Sequence, residues 1–134
     1  MAAFPADPEL QGESCTAVTN ISHNCDRNRM LVAEAGGIVL ILDAMQARAF
    51  PGDPKLQRQA CWALLTLAAN DDISRMIATE GGVGAIIAGM INNAGDTGVQ
   101  HFGCWALANV GWGQPDVQRF AREEGALEVI QVRL

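Results

Sequence analysis

Apolar residues recur at three- and four-residue spacing along most of the chain. The clearest run is Ala60, Cys61, Leu64, Leu67 and Ala68, with the polar Gln57 at its head on the same face, a spacing that gathers one buried stripe on a helix. Asn70-Asp71-Asp72 ends that helix, and Asp72 is a candidate cap for a short helix running through Thr79. Gly81-Gly82 stops the short helix and permits a sharp turn. A third helix is predicted from Val83 to about Asn93, with Asn92-Asn93-Ala94-Gly95-Asp96 as the loop onward. Ile38-Val39-Leu40-Ile41-Leu42 is β-branched enough for a buried strand. Its counterparts Val83-Gly84-Ala85-Ile86-Ile87 and Ala126-Leu127-Glu128-Val129-Ile130 contain Gly, Ala and Glu, which fit a helix better.

Those counterparts exist because the pattern repeats. Pro8-Glu9-Leu10-Gln11-Gly12-Glu13-Ser14-Cys15-Thr16 aligns with Pro54-Lys55-Leu56-Gln57-Arg58-Gln59-Ala60-Cys61-Trp62. Both align with Thr97-Gly98-Val99-Gln100-His101-Phe102-Gly103-Cys104-Trp105. The matching cysteines are 46 and 43 residues apart, and a glycine mark follows each at Gly36-Gly37, Gly81-Gly82 and Gly125. Each unit reads as three helices, the Gln-bearing one longest. The expected division is a tail over 1–7 and units over 8–53, 54–96 and 97–134. Apolar stripes alone would also suit an ordinary bundle. A unit of this size cannot bury its own apolar face, so the copies must stack. The expected fold is an all-α, right-handed α-solenoid of about three three-helix repeats.

Composition narrows the function classes. Nearly half the residues are apolar, with four Phe, three Trp and no Tyr, so the core is aliphatic and small, as close helix packing requires. Nine basic against fifteen acidic residues leave a net charge of −6. Phosphate contacts need clustered Lys and Arg, so a nucleic-acid partner is not expected. The uncharged stretch from Gly81 to Ala94 is too short and Gly-rich to span a bilayer, so no membrane partner is expected. No targeting segment is visible at the N-terminus. A cytoplasmic or nuclear setting follows by default, with the four cysteines as thiols. The sequon Asn20-Ile21-Ser22 would be inert there.

The pattern Gln-x-x-Ala-Cys-Trp-Ala-Leu-x-x-Leu-Ala, followed by an Asp/Asn turn and Gly-Gly-aliphatic, resembles the armadillo repeat from about residue 8 onward, most closely in the second and third copies. The resemblance implies that the Gln-bearing helix is the third of its unit and lines a concave groove. The family's groove uses a Trp with an Asn four residues later, the Trp forming apolar slots and the carboxamide bridging a peptide backbone. Trp105 and Asn109 match that pair. Trp62 matches the Trp, with Thr66 in place of the Asn; Thr16 replaces the Trp, with Asn20 in the Asn position. Only one rung is therefore complete, which departs from the consecutive pairs of nuclear-import receptors.

Trp62 and Trp105 sit one residue beyond the buried Cys, at the flank of the stripe. Groove lining is set against packing between units. Arg58 and His101 extend the line as solvated residues. Cys15, Cys61 and Cys104 read as buried small hydrophobes, and Trp112, which could cap the solenoid or meet a partner, reads first as locally packed. His23 and Cys25 flank one residue, too sparse for a metal site, and no Cys-x-x-Cys is present. Glu80-Gly81-Gly82-Val83-Gly84 lacks the Lys-Ser/Thr of a phosphate loop. Asp71-Asp72 and Glu123-Glu124 read as acidic pairs that cap helix ends or favour the dipole. No cofactor and no catalytic constellation is indicated. The expectation is a scaffold binding an extended peptide or a helix along Thr16/Asn20, Trp62/Thr66 and Trp105/Asn109. The alternative is a structural segment of a longer solenoid, or one stacking end to end on another copy through Val129, Ile130, Val132 and Leu134.

Overall fold

The computed structural model describes residues 1–4, 7–46 and 52–133, with side chains described as far as residue 130. The chain runs α1 (Pro8–Ser22), α2 (Asp26–Glu34), α3 (Gly37–Gln46), α4 (Pro54–Leu67), α5 (Asp71–Thr79), α6 (Gly82–Asn92), α7 (Thr97–Gly111), α8 (Pro115–Glu123) and α9 (Ala126–Arg133). The Gln-bearing helices α1, α4 and α7 are the longest among the described residues. No strand occurs among those residues, and Ile38–Leu42 lies within α3. Val132 and Leu134 fall outside the residues whose side chains are described.

The period extends to the helix ends. Asp7, Asp53 and Asp96 stand four residues before the three glutamines. Each side chain accepts a backbone N–H, from Leu10, Leu56 and Val99, at 3.0, 3.0 and 2.9 Å. Such a cap is worth about 1 kcal/mol, and Pro8 and Pro54 follow at a position where a missing N–H costs nothing. For α5 the cap is Asn70 and not Asp72: the Asn70 carboxamide oxygen accepts from Ile73 N at 3.1 Å. Asp71 and Asp72 occupy the first turn, where negative charge suits the dipole. Glu123 and Glu124 lie at the carboxyl end of α8, where the same charge opposes it. The glycine marks act as expected. Gly36, Gly81 and Gly125 take φ of 82°, 91° and 95°, the left-handed conformation that ends a helix sharply.

The glutamines join helix to helix. Gln57 Nε2 donates to the Met45 carbonyl at the end of α3, at 2.9 Å. Gln100 Nε2 donates to the carbonyls of Met90 and Asn93 at the end of α6, at 2.9 and 2.8 Å. Helix ends leave orphan carbonyls, and the buried amide satisfies them. At the start of the stack, Gln11 Nε2 donates to the carbonyls of Met1 and Phe4 at 2.8 and 2.7 Å. The N-terminal segment does for α1 what the end of α3 does for α4.

Successive units lie side by side, α1 against α4 and α4 against α7, with α2 on α5, α3 on α6 and α6 on α9. The central helix α4 is covered from both sides, so Ala63, Leu65 and Thr66 are buried beside the predicted stripe. Polar stitches cross between units. Arg29 Nε on α2 donates to the Thr66 carbonyl at 3.1 Å. Ser74, in the equivalent position on α5, donates to the Val110 carbonyl at 3.0 Å, with the Asn109 carbonyl at 3.3 Å. Cys15 and Cys61 are thiols in the core, both pushed up to about 12 by burial, Cys61 secondarily by Cys15.

Candidate functional site

The long helices present one continuous face, because each is anchored at both ends and spaced by the next. Trp62 and Trp105 lie on it, 43% and 48% exposed. Neither is buried between units. Trp62 nevertheless makes one contact across the unit boundary. It stacks on Phe102, with ring centroids 5.4 Å apart and planes 6° from parallel. His101 sets its edge against Phe102 at 5.3 Å and against Trp105 at 5.9 Å. Four rings thus run from α4 to α7 in an unbroken row. His101 is exposed, as expected, but it joins the two halves of that row.

Phe102 is what the sequence reading missed. It occupies the repeat position of Gln59, and the two act alike. Each lies on the preceding rung: Phe102 on Trp62, and Gln59 on Thr16, whose hydroxyl accepts from Gln59 Nε2 at 3.0 Å. Gln59 Nε2 also reaches Glu13 Oε1 at 3.3 Å, and Lys55 pairs with the same carboxylate at 3.6 Å. The face is therefore polar between α1 and α4 and aromatic between α4 and α7. A signal was available in the alignment, since Phe102 is apolar at the position where its counterparts Glu13 and Gln59 are polar.

The other predicted rung residues divide. Asn20 is exposed and Thr16 is half-buried. Thr66 does not reach the face. It is buried, and its hydroxyl turns back to the Trp62 carbonyl at 2.8 Å, a common local bond for Thr in a helix. Asn109 is half-buried and already engaged: its Nδ2 donates to the Leu65 carbonyl at 3.1 Å, leaving its oxygen as acceptor. Arg58 is not simply solvated. It pairs with Asp96 at 2.6 Å, tying α4 to the cap of α7.

Trp112 reverses its expectation. It is 76% exposed and packs little. With Ala68, Ala69, Asp71 and Asn109 it lines an open depression of about 300 Å³ at the carboxyl end of α7. Cys104 is half-buried where Cys15 and Cys61 are fully buried; it flanks a second depression between α7, α8 and α9. Among the described residues no group of three or more His, Cys, Asp or Glu side chains could hold a metal ion, and no helix is long and apolar enough to cross a membrane.

Residues 25–69 match the Armadillo/beta-catenin-like repeat family model. The matched segment begins at α2 and closes on α4, so the Gln-bearing helix stands last in it. Repeats of this kind generally mediate protein interaction and are a non-enzymatic scaffold type. No curated protein and no solved structure matches the chain.

Proposed function

Taking an armadillo repeat at residues 25–69 within a stack of helical repeats as the premise, we propose that the face of α1, α4 and α7 is the concave groove of a peptide-binding scaffold, acting in the cytoplasm or nucleus. The observation that carries this reading is the ring row Trp62, Phe102, His101 and Trp105, with Trp112 exposed beyond the carboxyl end of α7. Aromatic anchors of this kind dominate binding energy in interfaces. Thr16 and Asn20 form the polar end of the site. Trp62, Trp105 and the oxygen of Asn109 form the aromatic end, and Thr66, turned back to the Trp62 carbonyl, stays out of it. The partner is an extended peptide or a helix that brings polar groups to α1 and apolar side chains to α4 and α7. Micromolar affinity, roughly −8 kcal/mol, is ordinary for such a site.

The test is selection of a displayed random peptide library on the immobilised chain, followed by titration of enriched peptides against Trp62→Ala/Trp105→Ala. The double variant should lose at least tenfold in affinity while keeping its circular dichroism spectrum. Enriched peptides that bind the folded double variant unchanged would remove the groove from the account.

A further inference from the structure

The short helices α2, α5 and α8 each turn an apolar side chain outward at the same place. Leu31, Met76 and Phe120 are the sixth residues of their helices, and they are 52%, 38% and 43% exposed. The residue after each, Val32, Ile77 or Ala121, packs into the core instead. A single exposed apolar side chain is ordinary; a row of them at one repeat position forms a patch. Met76 has a unit on either side and is still exposed, so stacking of units does not cover this position. Between α5 and α8 the surface opens into a groove of about 240 Å³, where Ala78 and Val117 lie beside Phe120.

A second observation is the charge beside the row. Asp72 and Asp116 stand four residues before it, and Glu34, Glu80, Glu123 and Glu124 three or four after it, all of them exposed. Residues at these spacings share a helix face. Basic residues near the row are fewer. Arg27 holds the place of Asp72 on α2, and Arg75 and Arg119 come one residue before Met76 and Phe120. Arg119 is paired with Asp116 at 3.8 Å. The balance along the row is therefore negative, and the apolar side chains run between carboxylates on either side.

We infer that the outer face of α2, α5 and α8 docks a basic, extended segment of a partner protein, with an apolar residue at every third position and Lys or Arg between. Pitch and charge specify that occupant. Packed neighbouring helices lie about 8–10 Å apart, which sets the step from Leu31 to Met76 to Phe120. A polyproline II segment rises about 9 Å in each three-residue turn, so every third side chain meets the row in register. Its intervening side chains then flank the row, where the carboxylates stand, and cationic groups are their complement. Such a segment is close to its bound shape before it binds, which lowers the ordering cost. A second copy of this chain fits poorly, since its net charge of −6 brings like charge to a negative surface. The row lies on other helices than the ring row of α4 and α7, and the inference stands apart from the groove reading.

The probe is a synthetic peptide of Leu-Lys-Pro repeated three times with both ends blocked, in which Pro holds the extended form. It is titrated into the isotope-labelled full chain under reducing conditions, with amide shifts as the readout. The expected result is perturbation confined to α2, α5 and α8 that saturates below about 1 mM peptide. Binding should weaken at least fivefold in Met76→Ser and at least threefold in Asp72→Asn/Glu80→Gln. These three side chains are exposed, so both variants should fold, which circular dichroism checks. No shift at about 1 mM peptide, shifts confined to the Trp62–Trp105 row, or unchanged binding by the folded Met76→Ser chain would each overturn the inference. Equal binding of a Leu-Glu-Pro peptide would overturn its charge. Tighter binding of a helical Leu/Lys peptide would replace the extended segment by a helix, and a dimer of the chain alone that Met76→Ser dissolves would replace it by a second copy.

Discussion

Replacing Gln57 by Glu tests the interlocking of helices most directly, because the change is nearly isosteric and alters only the donor. Gln57 is almost fully buried; its Nε2 donates to the Met45 carbonyl at 2.9 Å and its Oε1 has no partner among the described residues. An ionised carboxylate there would face the Met45 carbonyl with no hydrogen to offer, in a site that gives a charge no solvation. The chain escapes by keeping the introduced carboxyl protonated, which restores a donor. Holding a carboxyl of ordinary pKa about 4.3 protonated at pH 7 costs about 4 kcal/mol, at 1.36 kcal/mol per pH unit. That sets the ceiling on the loss at pH 7. It is a large part of the 5–15 kcal/mol that stabilises a typical domain. The sign follows from linkage: the folded state raises this pKa, so it binds the proton more tightly than the unfolded chain does. The loss should therefore shrink as pH falls, to about 1 kcal/mol or less near pH 4.5. Urea melts of wild type and variant, compared at each pH, measure it. Gln57→Met serves as control, leaving the Met45 carbonyl unbonded at a cost of about 1–3 kcal/mol that does not vary with pH. A Gln57→Glu variant as stable as wild type at pH 7, or a loss that ignores pH, would refute the clamp.

Three further outcomes are expected. The stacked pair Trp62 and Phe102 should show a coupling of about 1 kcal/mol in a double-mutant cycle of Leu substitutions read by thermal unfolding; additive losses would mean the stacking carries no energy. Asp96 both caps α7 and pairs with Arg58, so Asp96→Ala should cost about 1–2 kcal/mol and Asp96→Asn, which keeps a cap, clearly less; equal losses in denaturant melts would assign the effect to the ion pair alone. Cys15 and Cys61 titrate near 12 when folded, against about 9 as the usual value. Their contribution should be intact below pH 9 and decline from there toward pH 12, by up to about 4 kcal/mol for each thiol. Cys61→Ala should flatten that alkaline slope, and an unchanged slope would place its origin elsewhere.

The architecture was legible because it rests on positions that recur. Gln11, Gln57 and Gln100 and the glycine marks repeat in sequence, and each does the same thing in space. The Asp caps recur just as strictly at Asp7, Asp53 and Asp96, but an Asp before a helix is so common that its period passes unnoticed. The binding face was less legible, since side chains there answer to neighbours about 44 residues away. The spacing of Trp105 and Asn109 places both on one face of α7. It cannot show that the Asn109 amide is taken by the Leu65 carbonyl, nor that Arg58 is taken by Asp96. Trp112 failed for a similar reason: local packing was expected of a Trp between glycines, but the surface within its reach is the open depression beside Asp71.

The positions that hold the stack together and those that face outward are largely separate sets. Asp cap and Gln clamp are the same residue in all three units, and each cap oxygen and clamp amide finds its partner within the fold; the Cys recurs as well, in the core of the first two units and half-buried in the third. The positions of Arg58/His101 and Gln59/Phe102 differ from unit to unit, that of Trp62/Trp105 is Thr16 in the first, and in the second and third units all three sit at or near the surface. This division means that outward positions can change with small cost to stability, because half-exposed side chains forfeit little burial when replaced. The exception is the Gln59/Phe102 position, which lies on the preceding rung and so serves both ends at once. Exchanging Phe102 for a polar residue would loosen Trp62 as well as interrupt the ring row. Whether the face between α4 and α7 is aromatic or polar is thus decided by a residue that also decides how firmly the two helices meet there. The face's chemistry and the rigidity of its rungs are coupled through that one position.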